Sequence, residues 1–321
     1  MGRYVARRLL FVILVMLAVT MVAFAIFFLL PSTNPAVAFA GRSPTPELIA
    51  EVEEQLGLDE PVPVQYWRYI ERLVTGDEYG WPGFGLSYNT RSPVREEIFD
   101  RAIVTIQLAI GGALLWLAIG VPIGVISALK RRSFADRAAM GFALIGVSTP
   151  VFLLGLVALY IFWEKLGWLP GTGYTPFSES PTEWFQQMLM PWFVIALLFA
   201  AIYARVVRGN MLDTMGEDYI RTARAKGVPE RDVVARHGLR AGLTPIVTLL
   251  GIDFALLIGN TVVTETVFNL PGLGNYVLVS TTDGDLPAVL AVVVLASFAV
   301  AFLALVTDIV YAYLDPRVRY R

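Results

Sequence analysis

Long apolar runs dominate the hydropathy pattern of this chain. Three runs contain no charged residue at all, namely residues 9–30, 103–129 and 138–163. A helix rises about 1.5 Å per residue, so roughly 20 apolar residues cross the hydrocarbon core of a bilayer. Each of these runs therefore predicts a transmembrane helix.

Three further runs are apolar but carry or border a charge. They are residues 189–204, which end before Arg205, residues 243–268, which include Asp253 and Glu265, and residues 286–314, which include Asp308. We predict a span in each, with Glu265 and Asp308 at the membrane interface because they lie near the ends of their runs. The pattern thus predicts an all-α integral membrane protein with six transmembrane helices.

Positive charge is distributed unevenly among the connecting segments. Short cytoplasmic loops retain Lys and Arg, whereas loops longer than about 60 residues escape this rule. Placing both termini inside puts most basic residues on the cytoplasmic side: Arg3, Arg7, Arg8, Lys130, Arg131, Arg132, Arg137, Arg317, Arg319, Arg321 and those within residues 205–240. The short outer loops then hold only Lys165. We therefore predict cytoplasmic N- and C-termini.

The first run has a second interpretation, a cleaved signal peptide. Arg7 and Arg8 precede it, and Ala38-Phe39-Ala40 resembles a cleavage site. The apolar part of a signal peptide is about 7–15 residues long, whereas residues 9–30 can fill a bilayer. We expect the segment to remain as the first span.

The segment after the first span combines helix signals with an irregular stretch. Thr45-Pro46-Glu47 predicts a helix start, because it offers a capping residue, a proline at the first helical position and an acidic first turn. Residues 64–73 carry apolar side chains on one helical face, namely Val64, Trp67, Ile70 and Leu73. That face favours a helix at the outer membrane interface or, alternatively, packing within an outer cap. Residues 76–93, rich in Gly, Trp, Tyr and Pro, predict a loop.

Two features lie within the predicted spans. Gly120 and Gly124 are four residues apart, which lets another helix approach closely. Ser148-Thr149-Pro150 predicts a kink, because proline releases a backbone hydrogen bond. Helix packing alone explains both features as well as transport does.

Residues 205–243, the basic loop, are helical in composition. Residues 213–226 predict one helix, Gly227 its left-handed end, and Pro229 the start of a second helix at residues 230–239. A basic two-helix element under a membrane fits either lipid headgroups or an acidic protein surface.

Composition agrees with a membrane protein and excludes several classes of chemistry. The chain is 56% hydrophobic and 16% charged, against roughly 45–50% and about 25% in soluble domains. A net charge of −2 and the absence of cysteine argue against a nucleic-acid partner, disulfides and thiolate zinc sites. His237 is the only histidine, which argues against a metal site. We find no phosphate loop and no paired acid and base, and expect no catalytic residue and no bound cofactor.

Polar residues within the fifth run are candidates for a transport role. Asp253, Asn260 and Thr264 lie at i, i+7 and i+11, on one helical stripe. A charged side chain costs about 2.5–3.5 kcal/mol near the bilayer centre, so it normally faces a cavity or a partner. The stripe would line a translocation pathway or form a hydrogen-bonded contact with a partner subunit. Arg205 and Arg208 would anchor the fourth span at the inner headgroups.

The basic loop also resembles a known family. "DYIRTARAKG" at residues 218–227, followed by "RHGLR" at residues 236–240, is similar to the dipeptide and oligopeptide branch of ABC-importer permeases, although the Glu and terminal Pro of the general permease signature are missing. Further similar strings follow the family's order: "LGLDEPVPVQY" at 56–66, "GVSTPVFLLG" at 146–155, "ETVFNLPGLG" at 265–274 and "LDPRVRY" at 314–320. The long external segment is similar to the first of the family's two permease subunits.

This resemblance implies a type I ABC-importer permease in the plasma membrane that forms half of a translocation pathway for di- or oligopeptides. The implied partners are a homologous second permease, two cytoplasmic ATPases that bind ATP and Mg, an extracytoplasmic solute-binding protein and membrane lipid, with no nucleic acid. In the family, a short helix of the loop docks into a groove of an ATPase. The matching residues here are Arg221, Thr222, Ala223, Arg224, Ala225, Lys226, Gly227, Val228, Pro229, Arg236 and His237.

The implied organisation is a tail and first span at residues 1–30, an external segment at 31–102, a permease core at 103–314 that includes the loop, and a tail at 315–321. Alternative cargoes for the same machine are oligosaccharides and nickel chelates. An ATP-independent secondary transporter is the main rival, since six spans and an intramembrane Asp253 suit ion coupling. Its inverted repeat is not evident, and neither are the facing catalytic groups of a membrane enzyme.

Overall fold

The computed structural model describes residues 2–26, 36–37 and 45–314. Within these ranges, some side chains lie outside the description, namely those of residues 2–5, 48, 51, 52, 55, 56, 244, 248, 255, 258–260 and 310–314. Three predicted features also lie outside the described residues: the last turn of the first span, the Ala38-Phe39-Ala40 motif and the tail at residues 315–321.

Helices form nearly all of the described chain. In order they are α1 Gly2–Phe24, α2 Pro46–Leu56, α3 Val62–Thr75, α4 Val94–Leu129, α5 Phe134–Ser148, α6 Val151–Ala158, α7 Pro181–Gly216, α8 Asp218–Ala225, α9 Glu230–Asp232, α10 Leu239–Gly242, α11 Thr244–Asn260, α12 Val262–Phe268, α13 Leu273–Thr282 and α14 Leu286–Leu314. Two π-helical segments add to this order, Leu159–Lys165 after α6 and Val233–Gly238 between α9 and α10. Among the described residues, extended pairing is limited to two isolated bridges, Asp77 to Gly80 and Leu86 to Pro93. The predicted all-α class is confirmed.

Four helical stretches are long and apolar enough to cross a membrane: Ala6–Phe24, Val94–Leu129, Pro181–Gly216 and Leu286–Ile309. A fifth arises if Phe134–Ser148 and Val151–Lys165, which meet at a bend of 103°, form one broken span. The run at residues 243–268 is divided into α11 and α12 at Thr261. The described residues therefore supply four or five spans, and the count of six and the placement of the termini stay predictions.

The bend between α5 and α6 falls at the predicted kink. α5 ends at Ser148, Thr149 is extended with φ −95° and ψ 126°, and Pro150 precedes α6. A residue before proline is disfavoured in the α-helical region because the proline ring clashes with its backbone. The kink prediction is confirmed.

The helices fall into two compact units, the first made of Met1–Thr105 and Pro271–Phe302. Its core joins the start of α4 to α13 and α14 through Val94, Ile98, Ala102, Leu273, Tyr276, Ala288, Ala291 and Val292. The Arg101 guanidinium lies 4.3 Å from the Tyr276 ring centroid. A cation over an aromatic face is attracted to it, so this contact adds to the apolar packing.

Helix α3 packs on the end of α1 within this unit. The Tyr66 hydroxyl lies 3.0 Å from the Thr20 hydroxyl, and the Phe24 ring contacts Tyr66 and Tyr69 at centroid distances of 5.5 and 6.0 Å. Trp67, from the predicted apolar face, is 67% exposed. The helix itself is confirmed, and tyrosines rather than Trp67 make these contacts.

One carboxylate of the first unit is buried without a cation as its hydrogen-bond partner. Asp285, which is 3% exposed, accepts hydrogen bonds from the Ser87 hydroxyl and from the Tyr88 backbone N–H at 3.0 Å. The Ser87 oxygen also accepts from the Asn89 and Thr90 backbone N–H groups. These bonds tie the irregular stretch at residues 76–93 to the residue that precedes α14.

The second unit consists of Ile106–Leu270 and Leu303–Arg321. Helices α4 and α7 approach closely in it, because a Cβ atom on Gly120 would lie 2.8 Å from the Ala200 carbonyl oxygen and one on Gly124 would lie 2.6 Å from that of Ala204. The close approach predicted from the glycine spacing is confirmed. In lipid, where apolar burial gives helices little drive to associate, such packing holds them together.

Candidate functional site

The first part of the predicted basic loop, residues 205–216, belongs to α7, so the name basic loop is used below for residues 217–243. Glu217 is extended, with φ −67° and ψ 152°, and separates Gly216 from α8. Asp213 therefore belongs to the long helix α7, and the prediction of one helix over residues 213–226 is wrong at its start. The Glu217 carbonyl accepts from the Ile220 N–H at 3.1 Å, which starts the new helix α8.

Gly227 forms the corner of the loop, as predicted. Its φ is +76°, in the left-handed region that glycine adopts without strain. The Gly227 N–H donates to the Arg224 carbonyl at 3.0 Å and the Val228 N–H donates to the Ala223 carbonyl at 3.2 Å, which closes α8. Pro229 then precedes α9 with ψ 138°. A Cβ on Gly227 would meet no atom within 4 Å, so only backbone strain limits substitution there.

The loop has a small core of its own and rests on α7. Ile220, Ala223 and Val233 are buried together, with Met215 and Val228 packed against them. Ala223 is among the residues that the resemblance places at the ATPase contact. It is only 9% exposed, because it packs in the core of the loop.

Two glycines bring the second half of the loop onto α7. A Cβ on Gly238 would lie 2.9 Å from the Met215 sulfur, and one on Gly242 would lie 2.8 Å from the Met211 sulfur. These distances show that both glycines lie directly against methionine side chains of α7, which a larger residue would have to displace. The loop is therefore an element fixed to the end of α7 and not a free connection.

The outward surface of the loop is basic. Its exposed residues among those expected to contact an ATPase are Arg221, Thr222, Arg224, Ala225, Lys226, Gly227, Pro229, Arg236 and His237, with Val228 half-buried. The Arg224 guanidinium donates two hydrogen bonds to the Glu230 carboxylate, at 3.0 and 2.7 Å, and thereby lowers the pKa of Glu230. This exposed pair spans the corner at Gly227.

The polar stripe of the fifth run is interrupted at Thr261. Asp253, on α11, is half-buried. Thr264, on α12, is 2% exposed, and the side chain of Asn260 lies outside the described residues. Lining of a pathway by these residues stays a prediction.

Glu265 contradicts its expected place at the membrane interface. It is 0% exposed, because α12 is packed inside the second unit, with Phe268 beside it at 1% exposed. Asp308 is half-buried, and His237 is exposed. Among the described residues, no group of three His, Cys, Asp or Glu side chains could hold a metal ion.

The sequence interpretation missed a partly buried ion pair between α5 and α7. Arg208, expected at the lipid headgroups, donates from Nε to Asp136 Oδ1 at 2.6 Å and from Nη2 to Asp136 Oδ2 at 2.9 Å. That expectation is wrong, because Asp136 is 5% exposed and draws Arg208 inward. Asp136 also accepts from the Ser127 hydroxyl at 2.5 Å and the Arg132 backbone N–H at 2.8 Å.

Part of this arrangement had a local signal. Ser133 caps α5 and accepts from the Asp136 N–H at 3.2 Å, the pattern of a helix start with an acidic third residue. Arg208 lies 72 residues away from Asp136, and no local pattern pairs them. Arg205, one turn earlier on α7, is exposed, so its anchoring role stays a prediction.

Comparisons with known proteins agree with this architecture. The sequence profile of the family "Binding-protein-dependent transport system inner membrane component" matches residues 120–320, and the profile of its N-terminal region matches residues 1–109. The "Probable peptide ABC transporter permease protein y4tP" of Sinorhizobium fredii is 38% identical over 320 residues, with 100% of both chains covered. The "Glutathione transport system permease protein GsiC" of Salmonella paratyphi A is 40% identical over 321 residues, again with 100% of both covered.

A solved structure of the MetNI methionine ABC transporter in an inward-facing conformation has a chain with a similar fold. The TM-score is 0.55 at 18% identity, covering 70% of this chain and 99% of that one. At this identity the likeness concerns the fold alone. Together with the two profiles and the full-length relatives, these findings show that the chain belongs to the family of inner membrane components of binding-protein-dependent transport systems, as a multi-pass permease subunit of an ABC importer and not an enzyme.

Proposed function

We propose that this permease forms half of a translocation pathway for peptides, together with a homologous second permease. An extracytoplasmic binding protein delivers the peptide, and two cytoplasmic ATPases that bind ATP and Mg supply the energy. Support for peptides comes from the relatives, whose names specify peptide and glutathione transport. Glutathione is itself a small peptide, so both names favour this cargo over oligosaccharides or nickel chelates.

The observation that carries the proposal is the fixed seating of the basic loop on α7. The exposed residues within 221–229, with Arg236 and His237, would contact an ATPase. Met211 and Met215 would pass the movement to α7. A loop held by packed side chains transmits a displacement, whereas an unpacked loop would absorb it. Asp253 and Thr264, with Asn260, remain our candidates for the pathway.

The same proposal assigns roles along the chain. Residues 1–30 would supply the first span, residues 31–102 an external segment, residues 103–314 the permease core and residues 315–321 a tail. The chain itself would contact the transported peptide and membrane lipid. It would bind no cofactor and no metal.

The decisive experiment is ATP hydrolysis by the purified complex. This chain would be tagged and co-expressed with the second permease and ATPases encoded beside it, and hydrolysis measured with the binding protein plus peptides, sugars or nickel chelates. We expect co-purification of an ATPase and stimulation by peptides alone. Stimulation only by another cargo would overturn the peptide assignment, and transport without any ATPase would favour a secondary transporter.

Gly227 provides a variant within this experiment. Gly227→Pro removes the N–H that bonds to Arg224 and requires φ near −65°, so we expect transport to be lost while the protein remains inserted. Gly227→Asn is the matched control, because asparagine tolerates the left-handed conformation. Undiminished transport by Gly227→Pro, at equal subunit levels, would refute the coupling role of the loop.

A further inference from the structure

The Asp136–Arg208 ion pair joins three helices of the second unit. Asp136 lies in the first turn of α5, Arg208 lies on α7, and Ser127, near the end of α4, donates its hydroxyl to the same carboxylate. The Arg132 N–H, in the turn between α4 and α5, adds a fourth donor. The Asp136 carboxylate thus connects the end of α4, the turn after it, the start of α5 and the side of α7.

The geometry of this cluster makes it hard to deform. Two parallel N–H···O bonds between a guanidinium and a carboxylate fix both distance and orientation. Asp136 is 5% exposed, and the Arg208 side chain is 23% exposed. Parting the two groups would leave a charge with little access to water, which is strongly unfavourable. Sliding of α7 past α5 and α4 at this level would therefore cost free energy.

Arg208 lies next to the seat of the basic loop. Met211 follows it by three residues on α7, and its sulfur is the atom that a Cβ on Gly242 would meet. Met215, one further turn along, contacts the loop core and Gly238. Successive turns of α7 thus contact Asp136 and the basic loop.

We infer that Asp136 and Arg208 are positioning residues for energy coupling, which fix α7 to α5 and α4 so that displacement of the basic loop moves these helices together. Without the pair, α7 would bend or slide at its end and the displacement would stay local. This inference rests on the proposed function, since it assumes that an ATPase acts on the loop.

The test uses the complete complex in proteoliposomes and measures peptide transported per ATP hydrolysed. Asp136→Asn keeps the size of the side chain but removes the charge. It also leaves one acceptor oxygen, so it can accept from Ser127 or from the Arg132 N–H but not from both. Arg208→Lys keeps the charge but loses the two-bonded geometry. Arg205→Gln is the matched control, an exposed arginine one turn away on the same helix.

We expect both pair variants to assemble and to hydrolyse ATP, with transport per ATP lowered about two- to thirtyfold, the range found for residues that modulate coupling between sites. The double variant should be no worse than the single ones, because the two residues act as one unit. Arg205→Gln should match the wild type.

Three other outcomes would contradict either the positioning role of the ion pair or the proposed function. An unchanged transport-to-ATP ratio in assembled variants, even with lowered thermal stability, would make the pair merely structural and overturn the inference. Failure of every pair variant to assemble would do the same. A wild-type complex without binding-protein-stimulated hydrolysis would instead refute the proposed function on which the inference rests.

Discussion

Each of the two units contains a buried carboxylate, and the two carboxylates differ in their hydrogen-bond donors. Asp136, in the second unit, is 5% exposed and is paired with a guanidinium, whereas Asp285, in the first, is 3% exposed and accepts from a hydroxyl and a backbone N–H. A cation that loses its carboxylate inside a protein is left as an unpaired charge, whereas a neutral donor loses only a hydrogen bond. We therefore expect a single change to cost more stability at Asp136 or Arg208 than a neutral substitute costs at Asp285.

The difference also concerns what each site connects. Asp136 joins helices whose relative position matters if the basic loop drives transport. Asp285 ties the irregular stretch after α3 to the start of α14. Charges are thus paired where three helices meet, and neutral donors bond to the carboxylate where an irregular stretch meets a helix.

The largest expected effect is that of Arg208→Ala. Asp136 would remain buried without its counter-charge, which typically costs about 3–5 kcal/mol of unfolding free energy. Denaturant unfolding of the purified complex in detergent measures it. Arg205→Ala, on the exposed side of α7, should cost less than about 0.5 kcal/mol. Equal costs for the two variants would contradict the burial of the pair.

The double variant Asp136→Ala with Arg208→Ala sharpens this result. Removing both charges should cost less than the sum of the two single changes, because no unpaired charge is left. The same unfolding measurement gives the interaction free energy. Strict additivity would mean that the two side chains do not interact in solution.

Asp285→Ala should have an intermediate effect. It leaves the Ser87 hydroxyl and the Tyr88 N–H without their acceptor, and a buried group that loses its partner costs about 1–3 kcal/mol. Asp285→Asn retains an amide oxygen for the Tyr88 N–H, so we expect about 1 kcal/mol. If Asp285→Asn destabilised the complex as much as Arg208→Ala does, the distinction between the two sites would be lost.

The smallest expected effect is that of pH on the exposed Arg224–Glu230 pair. Arg224 lowers the folded-state pKa of Glu230, so the pair stabilises the loop above the unfolded-state pKa and ceases to do so as the pH falls through the folded-state pKa. Wild type and Glu230→Gln should therefore differ slightly near neutral pH and converge in acid. Melting temperatures measured over this range check it. A difference as large as that of Arg208→Ala would show that exposure does not decide the strength of these pairs.

Features with local causes were predictable from the sequence. Apolar runs set the spans at α1, α4 and α14, because membrane crossing depends on a continuous stretch of one helix. The corner at Gly227 and the kink before Pro150 follow from backbone rules that act over one or two residues. The family followed from short strings of residues, and the profiles and relatives confirm it.

Only the tertiary structure decided which distant residues meet. Asp136 pairs with Arg208 across 72 positions, and Ser87 with Asp285 across 198. A sequence pattern repeats along one helix and specifies which face a residue occupies, but packing between helices selects the partner. Neighbouring helices also decide the burial of Glu265, the division of the fifth run at Thr261 and the inward turn of Arg208. The sequence thus determined most helices and the corners at Gly227 and Pro150. Packing between helices determined which residues are in contact.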